Sequence, residues 1–283
     1  MWRYSIAMND EFVNAIDKSE VSAKTKTTYA SNYRRLMNIT EDKPILCYTE
    51  PQLIKVLSAI DAPPMSVNGI LSVCMLLRNS VHLSTKKLEK YRKSLYETYY
   101  DNKEANNTDV LKDKLVSINQ LTDFVSSRWL SNDYTSFIIN YLLLKYGLRN
   151  ADVNLTIVKS KAHATDTNIN YIYFTSNYVV FVVNDYKTRD VYGVKKFTIK
   201  SRPFINACKI LLDDKEEHKL IESNNKNAFI QSRTLNKIGS GMIFKSVVSE
   251  LYANGMKNEI RKLGKSRGTS DSTMEKDYII DLN

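Results

Sequence analysis

Apolar residues spaced three and four positions apart predict helices along most of the first hundred residues. Phe12, Ala15 and Ile16 mark one short helix. Ser22 and Thr25 then open a second helix, which carries further apolar positions up to residue 36. The same spacing predicts helices over 50–59, 66–79 and 85–100. The N-terminal part of the chain is therefore predicted to be nearly all helical.

A polar run over 101–108 has no apolar period, and we expect a flexible linker there. This linker would separate a helical domain, residues 1–104, from a second domain, residues 105–283. In the second domain, helices are predicted over 117–128 and 133–146. The latter is apolar nearly all round, so it should be the buried core helix.

The period then changes, which indicates β-structure. Aromatic and β-branched residues at 171–174 and 178–183 predict a hairpin. A third strand is expected over 194–199, after a turn around 187–193, and helices follow over 203–212 and 241–252. The predicted fold class is mainly α with a small antiparallel β-sheet, that is, α+β.

Composition points to a folded protein with an anionic partner. Of the 283 residues, 43% are hydrophobic, and 41 Lys and Arg against 31 Asp and Glu give a net charge of +10. Such a charge suits a nucleic acid, although a membrane surface or an acidic protein would also fit. Eighteen tyrosines, with only 8 Gly and 5 Pro, argue against a disordered cationic tail.

Metal and membrane functions are not indicated by the residues. Cys47, Cys74 and Cys208 stand far apart among apolar neighbours, so we expect reduced core thiols, and the three histidines lack ligand spacing. The first residues show no apolar signal segment, and no stretch approaches the roughly 20 apolar residues of a membrane span. An intracellular protein without a metal or membrane contact is expected.

Metal-free cutting of a DNA phosphodiester needs a nucleophile, cations around the developing phosphorane and an acid for the leaving 5′ oxygen. The run LLKYGLRNADVNL at 143–155 places Arg149 in a tight turn directly after the core helix, with Asp152 three residues later. An arginine so close to the core needs a partner. The alternative is a helix capped by Gly147 with Arg149 on the surface.

This run resembles the first box of the tyrosine recombinases, the phage integrase family, whose core reads GLRxxE or GLRxxD. The resemblance implies that Arg149 is the first catalytic arginine and that Asp152 supports the site from behind. It also implies a SAM-like helical core-binding domain before a catalytic domain. DNA would be cut and rejoined through a 3′-phosphotyrosine intermediate, without metal or cofactor.

The turn DYKTR at 185–189 resembles the family's hairpin lysine, which protonates the leaving oxygen. Lys187 matches that position, and its alternative role is a solvated lysine at a hairpin tip. Lys195 and Lys196 are expected to contact DNA phosphates.

Two further motifs carry the resemblance to the C-terminus. Asn258 and Arg261, in NEIR, resemble the HxxR box with Asn in place of His, which makes Arg261 the favoured second arginine. SRGTS at 266–270 leads to Tyr278, the expected nucleophile. Arg267 competes as the second arginine, because SRGT before a tyrosine resembles divergent members from large DNA viruses and mobile elements.

The sequence departs from the family near the nucleophile. The stretch between the second arginine and Tyr278 is short, and Thr269 or Lys265 stands where the family has His or Trp. One catalytic element is therefore missing or rebuilt. The alternative for Tyr278 is an amphipathic residue that anchors the last helix.

The N-terminal segment SAKTKTTY at 22–29 resembles the TxxxY start of the recombinase core-binding domain. Lys24, Lys26, Arg34 and Arg35 are the cations expected to hold phosphates, unless they form only a solvated charged face.

The predicted function is a site-specific recombinase, or integrase, acting on double-stranded DNA. The resemblance implies a homotetramer on two DNA sites, located with its DNA in the cytoplasm or nucleus of a host. Three alternatives stay open: a type IB topoisomerase that acts as a monomer, a degenerate recombinase that only binds DNA, and a basic helical interaction protein.

Overall fold

The computed structural model describes residues 10–106, 111–280 and 282. The chain divides into two compact units, Met1–Asn107 and Thr108–Asn283. Both are mainly helical and the second contains one small sheet, which confirms the predicted fold class in outline. The predicted linker is partly wrong because the preceding helix continues through Asn106, and residues 107 and 108 lie outside the described residues. No helix within the described ranges combines the length and apolarity needed to cross a membrane.

The described residues of the first unit form five α-helices, most of them at the predicted positions. Their bounds are α1 Asp10–Asp17, α2 Ala23–Ile39, α3 Glu50–Ser58, α4 Pro64–Ser80 and α5 Lys86–Asn106. Ser22 caps α2 by accepting a hydrogen bond from the Thr25 N–H. Pro64 occupies the first turn of α4, where its missing N–H would have no partner within the helix.

Helix α4 is the centre of this unit and packs against the other four helices. Leu71 and Cys74 on α4 are fully buried, while Phe12 on α1 stacks on Tyr33 of α2 with ring centroids 4.3 Å apart. Cys74 and Cys208 are buried as expected, but Cys47 is exposed. The core position of its short 3-10 turn is taken instead by Ile45, which is 1% exposed.

The second unit surrounds a five-stranded sheet with helices. Its helices are α6 Ile118–Leu130, α7 Tyr134–Tyr146, α8 Arg189–Tyr192, α9 Arg202–Leu212, α10 Lys226–Ser232, α11 Ser240–Ala253, α12 Lys257–Arg267 and α13 Asp271–Thr273, followed by a π-helical turn Met274–Tyr278. The strands are β1 Leu155–Val158, β2 Asn170–Phe174, β3 Val179–Val183, β4 Lys195–Ile199 and β5 Glu217–Lys219, in the spatial order β4-β3-β2-β1-β5.

The predicted hairpin and third strand are confirmed as β2, β3 and β4, which pair antiparallel. The sheet is mixed, however, because β1 pairs parallel to β2. The predicted antiparallel strands are present, and the parallel strand β1 was not predicted. A parallel neighbour needs a crossover, and residues 159–169 provide it between β1 and β2.

The predicted core helix is confirmed: α7 has six fully or nearly fully buried apolar or small residues and packs against α6, α9 and α11. Strand β3 is buried along its whole length. These two elements fix the positions of the chain segments that leave them, residues 147–152 after α7 and residues 184–194 after β3.

Candidate active site

Arg149 follows a turn that only glycine can make here. Gly147 ends α7 in the left-handed region with φ 61°, and a Cβ on it would lie 2.5 Å from the Phe244 ring. Leu148 then enters the core, which brings Arg149 to the surface as a half-buried side chain. Asp152 Oδ2 accepts a hydrogen bond of 2.9 Å from the Arg149 N–H and so fixes the turn.

Reciprocal hydrogen bonds join the segment 266–269 to this turn. Arg267 Nη1 donates to the carbonyls of Gly147 and Leu148, at 2.7 and 3.1 Å. In return, Arg149 Nη1 donates to the carbonyl of Arg267 at 2.6 Å. Ser266 Oγ adds a bond of 2.7 Å to the Tyr146 carbonyl. Each arginine therefore holds the backbone that carries the other.

The connection between β3 and β4 docks on the same segment. Lys195 Nζ donates to the Ser266 carbonyl at 2.8 Å and lies 4.2 Å from the centroid of the Tyr186 ring. Thr188 Oγ1 donates to the Gly268 carbonyl at 3.1 Å. Lys195 is thereby held close to the two arginines.

Tyr278 ends the π-helical turn and contacts Arg267. Its ring meets the Phe244 ring edge-on at 4.9 Å, and the Arg267 guanidinium lies 5.2 Å from its centroid. The main chain is anchored by Ser249 of α11, whose Oγ donates to the Tyr278 carbonyl at 3.4 Å and accepts from the Ile280 N–H at 2.9 Å. The tyrosine is therefore half-buried and positioned from both sides.

Burial perturbs the charged groups of this cluster. It raises the pKa of Asp152, against the opposing effects of the Arg149 N–H and the charges of Arg149, Arg267 and Lys195. Burial lowers the pKa of Lys195 to about 8, although Asp152 opposes the shift. The pKa of Arg267 is also lowered by burial. A lysine with a pKa near neutrality can both hold and release a proton.

Three buried polar atoms in this region make no hydrogen bond within the described part of the chain: Asn150 Oδ1, Asp152 Oδ1 and Arg267 Nε. Such atoms are few in native proteins, and each calls for an explanation in strain, catalysis or a bound molecule. Their concentration beside Arg149 makes this cluster the candidate functional site of the second unit.

The sequence-predicted residues divide into two groups. Arg149, Asp152, Arg267 and Tyr278 lie together, and Thr269 Oγ1 accepts from Arg149 Nη2 at 3.4 Å. Other predicted residues are on the surface, namely Lys187, Asn258, Arg261, Lys265 and Lys196. Arg261 lines a cavity of about 460 Å³ with Tyr252, Asp271 and Glu275. Arg267, and not the favoured Arg261, therefore lies beside Arg149. Lys195 lies in the same cluster, where Lys187 was expected.

The predicted DNA-binding cations of the first unit lie on α2. Lys24, Arg34 and Arg35 are exposed. Lys26 is half-buried, and its Nζ lies 3.9 Å from an Asp17 carboxylate oxygen. Three of these four cations therefore extend into solvent.

Sequence reasoning missed Asn170, which is 1% exposed at the start of β2. Its Nδ2 donates to the carbonyls of Asp152 and Asp185, and its Oδ1 accepts from the N–H groups of Asn184 and Asp185. A polar residue at the start of an apolar strand was the available signal. Asn170 ties the Arg149 turn to the connection that carries Lys195.

Within the described residues, no group of three or more His, Cys, Asp and Glu side chains is arranged to hold a metal ion.

Comparisons with known proteins give little further assignment. No protein-family model and no curated protein sequence matches the chain. Among solved structures, the crystal structure of XerA recombinase matches with 13% sequence identity and a TM-score of 0.37, covering 97% of this chain and 94% of that one. A likeness at this level assigns neither a family nor a function.

Proposed function

We propose that the chain is a site-specific DNA recombinase that cuts and rejoins double-stranded DNA through a tyrosine nucleophile. The observation that carries this proposal is the convergence of Arg149, Lys195, Arg267 and Tyr278 from four separate segments of the second unit. These are a nucleophile, phosphate-binding cations and a proton donor, the groups that a metal-free cut requires.

Burial suggests different roles for the two arginines. Arg149 is half-buried and so remains accessible to a phosphate oxygen. Arg267 is 3% exposed, and its Nη1 is already shared by two carbonyls. We therefore assign phosphate binding to Arg149 and the orientation of Tyr278 to Arg267.

Lys195 is the proton donor in this proposal. Its ammonium lies in the cluster, whereas Lys187 is exposed to solvent. Its pKa of about 8 keeps it mostly protonated at neutral pH and makes the proton easy to transfer. This replaces the role expected for Lys187 from the sequence.

In the proposed reaction, Tyr278 Oη bonds to phosphorus and the bond from phosphorus to the 5′ oxygen breaks. The phenol proton passes to solvent, and Lys195 protonates the leaving oxygen. The product is a 3′-phosphotyrosine, and attack by another 5′ hydroxyl reverses the steps. Exchange between two DNA sites would require four copies of the chain, with Lys24, Arg34 and Arg35 among the cations that hold phosphates.

A suicide-substrate assay tests this function. The protein is incubated with nicked DNA duplexes without divalent metal, and a covalent protein–DNA band is sought on a denaturing gel. Tyr278→Phe is expected to abolish the band, while Tyr252→Phe, at a 45% exposed tyrosine of α11, should leave it unchanged. A band that survives in Tyr278→Phe refutes the assigned nucleophile.

The second candidate is a degenerate recombinase that only binds DNA. The burial of Arg267 favours it, because a side chain that is 3% exposed is poorly accessible to a phosphate. Salt-sensitive DNA binding without any covalent band, over many duplex sequences, would select this candidate over the enzyme.

A further inference from the structure

The connection between β3 and β4 carries three exposed apolar side chains within four residues. Val191 is 76% exposed, and Tyr192 and Val194 are each 46% exposed. One exposed apolar residue on a protein surface is ordinary. Three of them at the end of α8 and directly after it form a small apolar tip, residues 191–194.

Hydrogen bonds hold the base of the tip in place. Tyr186 Oη donates to the Gly193 carbonyl at 2.7 Å, and the Gly193 N–H donates to the Arg189 carbonyl at 2.7 Å. Thr188 Oγ1 bonds the Gly268 carbonyl of the candidate site. The exposed side chains are therefore presented by a turn with defined hydrogen bonds at its base.

Cations outnumber acids in the chain around the tip. Lys187, Arg189, Lys195 and Lys196 flank it, against Asp185 and Asp190. Lys195 Nζ lies 5.7 Å from the centroid of the Tyr192 ring and also bonds the Ser266 carbonyl in the candidate site. The apolar tip therefore lies in a basic stretch of the chain, next to Lys195, the lysine proposed to protonate the leaving oxygen.

We propose that the tip inserts between bases of duplex DNA next to the phosphate held by Arg149 and Lys195, so that a base step is unstacked beside the cut. This rests on the proposed function. Phosphate contacts need only cations, whereas apolar side chains gain from contact with base faces and thymine methyl groups. Apolar wedges that unstack a step are a known mode of DNA distortion, and an aromatic ring can stack on the freed base.

The test uses a short AT-rich duplex in which several adenines are replaced by 2-aminopurine, whose fluorescence rises when it unstacks. All proteins carry Tyr278→Phe so that strand cutting does not contribute. The tip variant is the double substitution Val191→Ser and Tyr192→Ser. The matched control is Ile210→Ser, at a 50% exposed apolar residue of α9.

The parent protein and the control are expected to raise the fluorescence at saturation, and the tip variant should not. The tip variant should also bind about tenfold more weakly, with an unchanged salt dependence because every cation is kept. Since the substituted side chains are exposed, its unfolding midpoint should match the control. Should it not, Tyr192→Ala alone gives the same test.

The outcomes separate this inference from the proposed function. DNA binding by the parent without a fluorescence rise overturns the wedge but leaves the recombinase proposal standing, as does a rise that persists in the tip variant. Absence of any DNA binding by the parent overturns both.

Discussion

Gly268 offers a sharp test of the packing between the candidate site and the β3–β4 connection. Its φ is 68°, and Gly255, in the turn before α12, has a nearly identical φ of 70°. An alanine in this left-handed region costs roughly 1–2 kcal/mol of folding free energy. Gly268→Ala and Gly255→Ala should share this backbone cost.

The two positions differ in what surrounds them. A Cβ at position 268 would lie 2.5 Å from Thr188 Oγ1 and 2.8 Å from Lys195 Nζ, whereas nothing lies within 4 Å of a Cβ at position 255. The first alanine must displace both side chains and break the bond from Thr188 to the Gly268 carbonyl, which is worth about 0.5–1.5 kcal/mol. We expect Gly268→Ala to lose about 2–3 kcal/mol and Gly255→Ala only about 1–2 kcal/mol.

The functional consequence is larger than the loss of stability. Lys195 Nζ would leave the Ser266 carbonyl, and misplacing a catalytic group by about 1 Å costs about 100-fold in rate. Urea unfolding gives the stabilities, and the rate of covalent adduct formation on nicked duplexes gives the activities. Gly255→Ala should form adducts at the wild-type rate.

Removing the Thr188 hydroxyl supplies an internal check. Thr188→Ala in the Gly268→Ala background relieves the shorter of the two contacts, so part of the lost stability should return. If Gly268→Ala matches Gly255→Ala in both stability and adduct rate, the close approach of the two segments is refuted, and with it the placement of Lys195 in the site.

Three further predictions address the remaining groups. Burial lowers the pKa of Lys195 to about 8, so its protonated form is present below that pH, and adduct formation should fall as the pH rises through about 8. Lys195→Met should form the adduct about 10²–10⁴-fold more slowly and should lack this fall. Asn170→Ala leaves the Asp152 carbonyl without its amide donor and other buried groups without partners, and should lower the free energy of unfolding in urea by at least about 2 kcal/mol. Arg267→Lys should cost about 2 kcal/mol or more in the same measurement and lose the adduct, whereas Arg261→Lys should stay within about 0.5 kcal/mol of wild type and keep it; the reverse pattern would restore Arg261 as the second arginine.

The sequence predicts the fold where one period runs long enough to identify an element. Helix α7 is apolar nearly all round, and β3 reads VVFVV, so both were found. Strands β1 and β5 have four and three residues, too few to show a period. Missing them hid the parallel pair and made the sheet look purely antiparallel. The end of α5 was missed because a polar surface helix and a linker share the same composition.

In the candidate site, sequence motifs identify the residues whose contacts lie within a few positions in the chain. The GLRNAD run contains both partners of the bond between the Arg149 N–H and Asp152, so it could be found from adjacent residues. The choice between Arg261 and Arg267 depends on which side of α12 faces the core, and linear spacing does not report this. Likewise, Lys195 looked like an ordinary strand lysine because its partner, the Ser266 carbonyl, is 71 residues away in the chain.

The charge of the cluster argues for the kind of ligand it takes. Among the described residues, Arg149, Lys195 and Arg267 face one carboxylate, Asp152, whose pKa is raised by burial. Backbone carbonyls stabilise these cations. Arg149 and Lys195 each donate to one carbonyl, and Arg267 donates to two. Carbonyl dipoles stabilise a cation without cancelling its charge, so this half-buried cluster keeps a net positive charge. A phosphate is the anion that would balance it, and this holds equally for an enzyme and for a protein that only binds DNA. A nucleophile would distinguish the enzyme from the protein that only binds DNA, and Tyr278, whose ring centroid lies 5.2 Å from the Arg267 guanidinium, supplies the phenol proposed for that role.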